Sequence, residues 1–222
     1  MPPLPRGSFL AGLPVPARTA MLALGTTRDY APRTVLLREG ERGSHVLVLV
    51  KGLAKVTATS PEGHLSLLAI RAAGDLVGEL ASMDDEPRIA TVTAAGPVRA
   101  RVVGQAEFRR YLTHHPDVAL AVSGSVGAKL RWATRRRIDF GAHEVHVRLA
   151  RVLTELATTY GTDKGEIGVP LSQPELAALV GAAEPTVHRA LAYLRKENIV
   201  ATGYRRVMVR DHPRLEAIAD GG

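Results

Sequence analysis

The residues best suited to recognising another molecule lie together in 171–200, LSQPELAALVGAAEPTVHRALAYLRKENIV. Glu184, Thr186, His188 and Arg189 carry donors and acceptors of the kinds that read DNA base edges. An arginine pairs with guanine O6 and N7, and a carboxylate accepts from cytosine N4. To do this they must project from one exposed helical face. Ser172 followed by Glu175 is a capping box that starts a helix, and Pro174 is tolerated in its first turn. Leu176, Leu179 and Val180 make that helix apolar on one side. Gly181 supplies a turn that needs positive φ. A second helix begins near Glu184-Pro185 and buries Val187, Leu191 and Leu194. Thr186, His188 and Arg189 are then left on the outer side of its early turns, the part of a helix-turn-helix that enters the major groove. Arg189 is the candidate for bidentate pairing with guanine, with His188 and Glu184 tuning its neighbours. Ser172 and Gln173 complete the DNA-facing set. Thr202–Arg210 reads as a β-wing with Gly203 as its turn, and Arg205 and Arg206 near the tip suit phosphate. A plain helical hairpin would share the apolar spacing; the capping box, turn glycine and basic wing favour the reader.

The charge distribution agrees. The formal net charge is +7; residues 129–137 hold five basic and no acidic groups, and 188–214 hold seven basic against two acidic. Clustering of this kind is better evidence for a polyanionic partner than the total. Cysteine is absent, which excludes disulfides, thiolate-held iron–sulfur clusters and Cys-type zinc sites. No apolar run approaches the ~18 residues of a membrane span, and the Pro-rich Met1–Gly7 lacks a secretory core. A cytoplasmic location without membrane contact is therefore expected. No G-x-S-x-G, H-E-x-x-H or Walker loop is present, so no enzyme is expected. His143, Glu144 and His146 form H-E-V-H, whose spacing is wrong for two metal ligands on one helical face; a partly exposed helix surface is the expectation.

The upstream chain supplies the rest of the scaffold. Thr34–Arg38, His45–Val50, Lys55–Thr59, Leu65–Arg71, Ile89–Thr93 and Val98–Val103 read as short strands separated by Gly- and Pro-containing turns, which suggests an antiparallel roll or sandwich. The period then changes. Val122, Val126, Leu130, Ala133, Arg137 and Phe140 recur every three or four residues, one stripe of a long helix. A coiled-coil seam is favoured over a core helix, because Lys129, Arg131, Arg135 and Arg136 on the opposite face are expected to be solvated. Val145–Ala157 is a further helix, and Tyr160–Gly168 a polar loop.

In this order the parts resemble the Crp/Fnr family over roughly residues 20–212. The resemblance rests on the roll with REG at 38–40, KG at 51–52 and PEG at 61–63, on GDLVGELASMDDEPRIATV at 74–92, and on the helix-turn-helix. It implies an α+β chain in three parts. Residues 1–115 form an N-terminal antiparallel β-roll, a cyclic-nucleotide-binding-like jelly roll with a short N-terminal helix. Residues 116–140 form a long dimerisation helix with a hinge near Ile138–Phe140, and 141–222 a C-terminal winged helix-turn-helix. It implies a homodimer on a pseudo-palindromic double-stranded operator, with RNA polymerase as a further candidate partner. Segment 74–92 looks like the family's phosphate-binding cassette. Glu79 would accept from a ribose hydroxyl and Arg88 would meet a phosphate with its planar fork. Backbone N–H groups around Gly78, Glu79, Leu80, Ile89 and Ala90 would add fixed dipoles. The bland alternative is that Glu79 and Arg88 simply pair with each other.

Three departures from the cyclic-AMP binders bear on the effector and the operator. Ile89 stands where they carry Ser or Thr, placing an apolar group against an anion. Ala133 stands where the dimer helix carries a Thr, although Thr134 follows. Glu184-Pro185 stands where the activator's recognition helix carries Arg-Glu, while Arg189 is kept. A cyclic nucleotide is thus the candidate effector, with cyclic-AMP binding weakened or lost. A haem-sensing or effector-independent member of the same architecture is the alternative. His45, His64, His114 and His115 are axial-ligand candidates by type only, and each is expected to be a surface residue.

Overall fold

A computed structural model describes residues 4–5, 7–63, 65–162 and 164–221. His64 lies outside them, as does most of the Pro-rich start. The chain divides into two compact units, Met1–Arg131 and Trp132–Gly222.

In the first unit a 3-10 turn, Leu10–Gly12, precedes α1 (Val15–Ala23). Eight strands follow: β1 (Thr26–Tyr30), β2 (Val35–Leu37), β3 (His45–Lys51), β4 (Leu53–Thr59), β5 (Leu65–Ala72), β6 (Leu76–Val77), β7 (Thr91–Ala94) and β8 (Val98–Gly104). The short helix α2 (Glu79–Asp84) sits between β6 and β7, and α3 (Gln105–His114) follows β8. Helix α4 spans Pro116–Ala142 and carries the boundary between the units. The strands form two antiparallel sheets, ordered β1-β8-β3-β6 and β2-β7-β4-β5. β1 has weak apolar patterning and β6 is only two residues long, so both exist by pairing: β1 runs beside β8 from Thr26–Val102 to Tyr30–Val98, and only Tyr30 of its five residues is buried. The segment expected to begin at Ile89 pairs only from Thr91.

β3 explains the layering. Its HVLVLVK run buries side chains on both faces, which is why it lacks alternation. Leu47 and Leu49 join Tyr30, Leu36, Leu37, Val92 and Val98 between the sheets. Val46 and Val48 turn the other way, against Leu10, Met21, Phe108, Val118 and Val122. Val122, expected on an intermolecular stripe, is therefore fully buried in this core. Leu120, Leu130, Ile138 and Phe140 are the large apolar side chains that α4 leaves exposed. The expectation that its basic face is solvated is corrected at two positions. Lys129 is largely covered by its pairing with Glu79. The Arg136 side chain is only 11% exposed, paired with Glu155 and stacked on Trp132. A long aliphatic stem with a local carboxylate removes the need for water.

The second unit contains α5 (Val145–Tyr160), α6 (Gln173–Val180), α7 (Glu184–Lys196), the hairpin β9 (Val200–Gly203) and β10 (Arg206–Val209), and α8 (His212–Ala219). Its core joins Leu149, Val152 and Leu153 of α5 with Leu176, Leu194, Ile199, Val209 and Leu215. The polar loop before α6 adds isolated bridges, Gly161 to Ile167 and Glu166 to Met208, and so flanks the hairpin. H-E-V-H is not a helix surface. His143 follows the end of α4 and Glu144 is the residue before α5, so the motif spans the link between the two helices.

Gly181 organises this unit. It ends α6 at φ +66°, and a Cβ there would lie 2.4 Å from the Phe140 ring. Arg148, 9% exposed, donates to the Gly181 carbonyl at 3.0 Å and lies over the Phe140 ring. Gly181→Ala should therefore destabilise the second unit by roughly 1–3 kcal/mol, combining left-handed strain with the clash. The double variant with Phe140→Ala should recover the steric share. Thermal unfolding followed by near-UV dichroism and native-state hydrogen exchange will check both, with exchange protection in 26–103 unchanged.

Candidate nucleic-acid interface and effector cradle

The turn between α6 and α7 aims the reader. Ser172 Oγ accepts from the Glu175 N–H, and Glu175 Oε2 accepts from the Ser172 N–H at 2.8 Å, so the capping box forms as expected. Val187, Leu191 and Leu194 are buried, while Glu184, His188 and Arg189 are exposed and Thr186 is half-buried. Arg189 donates to Thr186 Oγ1 at 3.3 Å, one turn back on the same face. That contact is long and exposed, so it restrains the guanidinium without consuming its fork. Gln173 is exposed at the start of α6 beside the Ser172 cap. Arg195 and Lys196 extend the basic side of α7 toward its C-terminus, where cations complement the helix dipole.

The wing needs two corrections. Gly203 is the last residue of β9, paired with Arg206. The turn is Tyr204-Arg205, and Arg205 holds the positive φ of 55°. The two wing arginines also have partners. Arg206 forms a fork-to-fork pair with Glu166, through Nε at 2.6 Å and Nη2 at 2.5 Å. This neighbour holds the Glu166 carboxyl below its usual pKa and the guanidinium above its own. Arg205 reaches back 3.5 Å to Glu175 Oε2, and its carbonyl accepts from the Leu171 N–H. Tyr204, which sequence reasoning passed over, is 88% exposed.

In the first unit the turn after β6 and the segment before β7 converge. Arg88 is 6% exposed although no acid among the described residues forms an ion pair with it. Its backbone is clamped to the REG turn: Gly40 N–H donates to Arg88 O, and Arg88 N–H to Glu41 O, each at 2.9 Å. Its Nη2 donates to the His45 carbonyl at 2.7 Å. Its Nη1 is buried with no partner among the described residues. Burial pushes the guanidinium's pKa down, opposed by the nearby charges of Glu41 and Glu79. His45 is pushed down as well, first by burial and then by Arg88. Gly78 makes room for this arrangement. It has φ +84°, and a Cβ would lie 2.5 Å from Arg88 Nη1 and 2.9 Å from Leu37. A buried cationic fork with one arm answered and the other open suits an anionic oxygen.

Glu79 and Arg88 do not pair with each other, so that alternative is set aside. Glu79, 4% exposed, receives Lys129 Nζ at 2.7 Å, and the same ammonium donates to the Leu76 carbonyl at 2.7 Å. Lys129 is the residue that sequence reasoning missed; it stands fifty positions from Glu79, and nothing local marks the partnership. Ala90 is buried and Leu80 half-buried beside them. Ile89 is 69% exposed. Thr134 is exposed and belongs to the second unit, as does Ala133. On the far side, α3 pins α2 through Arg109 Nε to Ser82 O at 2.6 Å and Gln105 to Asp85 at 2.8 Å. Of the haem-ligand candidates, His114 and His115 are exposed and His45 is half-buried. No helix among the described residues is long and apolar enough to cross a membrane.

A cyclic nucleotide-binding domain matches residues 27–115, and a Crp-like helix-turn-helix domain matches 147–218. The chain is a Crp/Fnr-type DNA-binding transcription regulator. It is 27% identical to a CRP-like cAMP-activated global transcriptional regulator of Mycobacterium tuberculosis over 96% of each chain. A CRP-family regulator from Thermus thermophilus superposes with TM-score 0.72 at 26% identity, covering 87% of this chain and 96% of that one. FixK2 from Bradyrhizobium japonicum shares the fold, with TM-score 0.77 at 21% identity over 88% and 97%. Membership of this regulator family implies DNA binding and dimerisation.

The Lys129–Glu79 pair leads to a stability prediction. Lys129→Met leaves a carboxylate buried without its cation, and should cost about 2–3 kcal/mol, below the ~3–5 of a fully enclosed pair because Lys129 retains some water. Lys129→Met with Glu79→Leu should recover most of the loss. Urea unfolding of the three variants measures the coupling.

Proposed function

We propose that this regulator is gated by a small anion bound at Arg88, and that as a dimer it reads a two-fold symmetric operator with Arg189 as the principal base contact. The observation that carries the gating half is the buried, half-answered Arg88 guanidinium beside Gly78. Holding a charge at such a site costs free energy that an incoming anion returns. A cyclic nucleotide is the favoured class, as the name of the mycobacterial relative suggests. Its phosphate would take Arg88 Nη1, and its ribose hydroxyl would share Glu79 with Lys129. Ile89 brings no hydroxyl to the phosphate, so cyclic AMP should bind more weakly than in receptors that carry Ser or Thr at this position. The missing hydrogen bond is worth roughly 0.5–1.5 kcal/mol. Exposed Leu120, Leu130 and Ile138 on α4 support dimerisation through that helix.

Titration calorimetry with cyclic AMP, cyclic GMP and cyclic di-GMP tests the gating. Arg88→Ala should abolish whatever binding the wild type shows, and undiminished binding would move the ligand elsewhere.

On DNA, a symmetric dimer should select half-sites about one helical turn, roughly 34 Å, apart. Arg189→Ala should cost about 1–3 kcal/mol and relax preference at one base pair per half-site. Site selection from a random duplex library checks this. Wild-type preference retained at every position would show that another face of α7 does the reading.

A further inference from the structure

The wing tip is built to present one side chain. A two-residue hairpin turn that needs positive φ at its second position usually takes Gly or Asn there. Here the position holds Arg205 at φ +55°, a conformation that persists only when surrounding contacts enforce it. Those contacts are visible. The Arg205 carbonyl accepts from Leu171 N–H at 3.2 Å, and its guanidinium turns inward to Glu175, the acid of the α6 capping box. The tip is thereby tied to the start of the helix-turn-helix. Arg206, its side chain still 66% exposed, is paired with Glu166. The exposed side chain of the wing tip that is held by no carboxylate among the described residues is Tyr204, 88% exposed.

Tyr204 also stands in a defined place. It lines an open groove of about 360 Å³ together with Ser172, Gln173, Leu176 and Leu191. Ser172 and Gln173 begin the helix that precedes the recognition helix. The phenol therefore flanks the reader's own surface. A large exposed ring at a hairpin tip contributes nothing to this unit's core, and a polar turn residue would serve the fold better.

We infer that Tyr204, rather than Arg205 or Arg206, makes the wing's contact with operator DNA, its hydroxyl donating to a backbone phosphate oxygen while its ring lies against the adjoining sugar. The inference rests on the reader assignment above. Phosphate contacts set position without carrying sequence information. A neutral donor also displaces no counterion, so it adds affinity without adding salt dependence. This separates Tyr204 from an arginine contact, which would steepen the salt dependence by about one unit.

The test uses the full-length protein and one duplex chosen from a random library by the wild type. Fluorescence anisotropy is read at several salt concentrations for wild type, Tyr204→Phe, Tyr204→Ala and Arg189→Ala. Thermal melting of each variant verifies folding, which an 88% exposed side chain should not affect. Tyr204→Phe should weaken binding roughly 3- to 10-fold, the worth of one hydrogen bond, and Tyr204→Ala more. Neither should change the salt slope or the selected sequence. Affinities within twofold of wild type for both would overturn the inference. A changed base preference would also overturn it, by making Tyr204 a base reader. Unchanged DNA affinity with reduced transcription in a reconstituted assay would assign Tyr204 to a protein contact instead. Arg189→Ala keeps the two readings apart: if it leaves selection untouched while Tyr204→Phe weakens binding, the recognition-helix assignment fails and the wing contact stands.

Discussion

Both working surfaces of this protein depend on a place where the backbone has no room for a Cβ. Gly78 lets the Arg88 guanidinium lie against the main chain, with Nη1 2.5 Å from where a side chain would begin. Gly181 does the same for the Phe140 ring at 2.4 Å. Each also sits at positive φ, so the steric and the conformational demands fall on one residue. Remove the first and the cation can no longer reach its buried position. Remove the second and the end of α4 can no longer pack on the turn that sets the direction of α7. The close contact thus comes before the chemistry in each unit: positioning is achieved by subtraction, and the functional group occupies the space left.

The charges then sort by whether they are answered. Glu79 is answered by Lys129, Arg206 by Glu166, and Arg205 in part by Glu175. Among the described residues, Arg88 is answered only by a carbonyl on one arm. Exposed pairs such as Arg206–Glu166 contribute little to stability, but they decide which groups are free to meet a ligand. A count of basic residues would assign the wing to its arginines and the α4 run to solvent. The pairings redirect attention to Arg88, Arg189 and Tyr204. This is why net positive charge, though a fair guide to the class of partner, is a poor guide to the contact residue.

The chain is 27% identical to the mycobacterial regulator across nearly the whole of both chains, and solved structures at 21% and 26% identity share its fold. That pattern is expected where a fold is held by burial and a function by a few polar groups. The doubly buried β3 tolerates many apolar sequences. A cradle with Ile89 exposed and Lys129 on Glu79 offers a ligand a different set of contacts from one with a Ser or Thr hydroxyl in place of Ile89.

The amino-acid sequence by itself determined the order of parts, the capping box at Ser172, the turn at Gly181, the buried stripe Val187–Leu194 and the exposed Arg189. These rest on local rules: spacing along one helix, cap chemistry and the φ that glycine permits. It also pointed to Gly78, Glu79 and Arg88 through the resemblance their segment carries. Strands β1 and β6 escaped it, because their stability comes from partners rather than from their own patterning. Only tertiary structure decided that Lys129 meets Glu79, that Ile89 is exposed, that Val122 is core rather than seam, and that Tyr204-Arg205 forms the wing turn. Each of these depends on contact between segments far apart in the chain, or on which of several equivalent cations finds a carboxylate. Local spacing holds no information about such pairings, since their energy exists only once the two surfaces have come together.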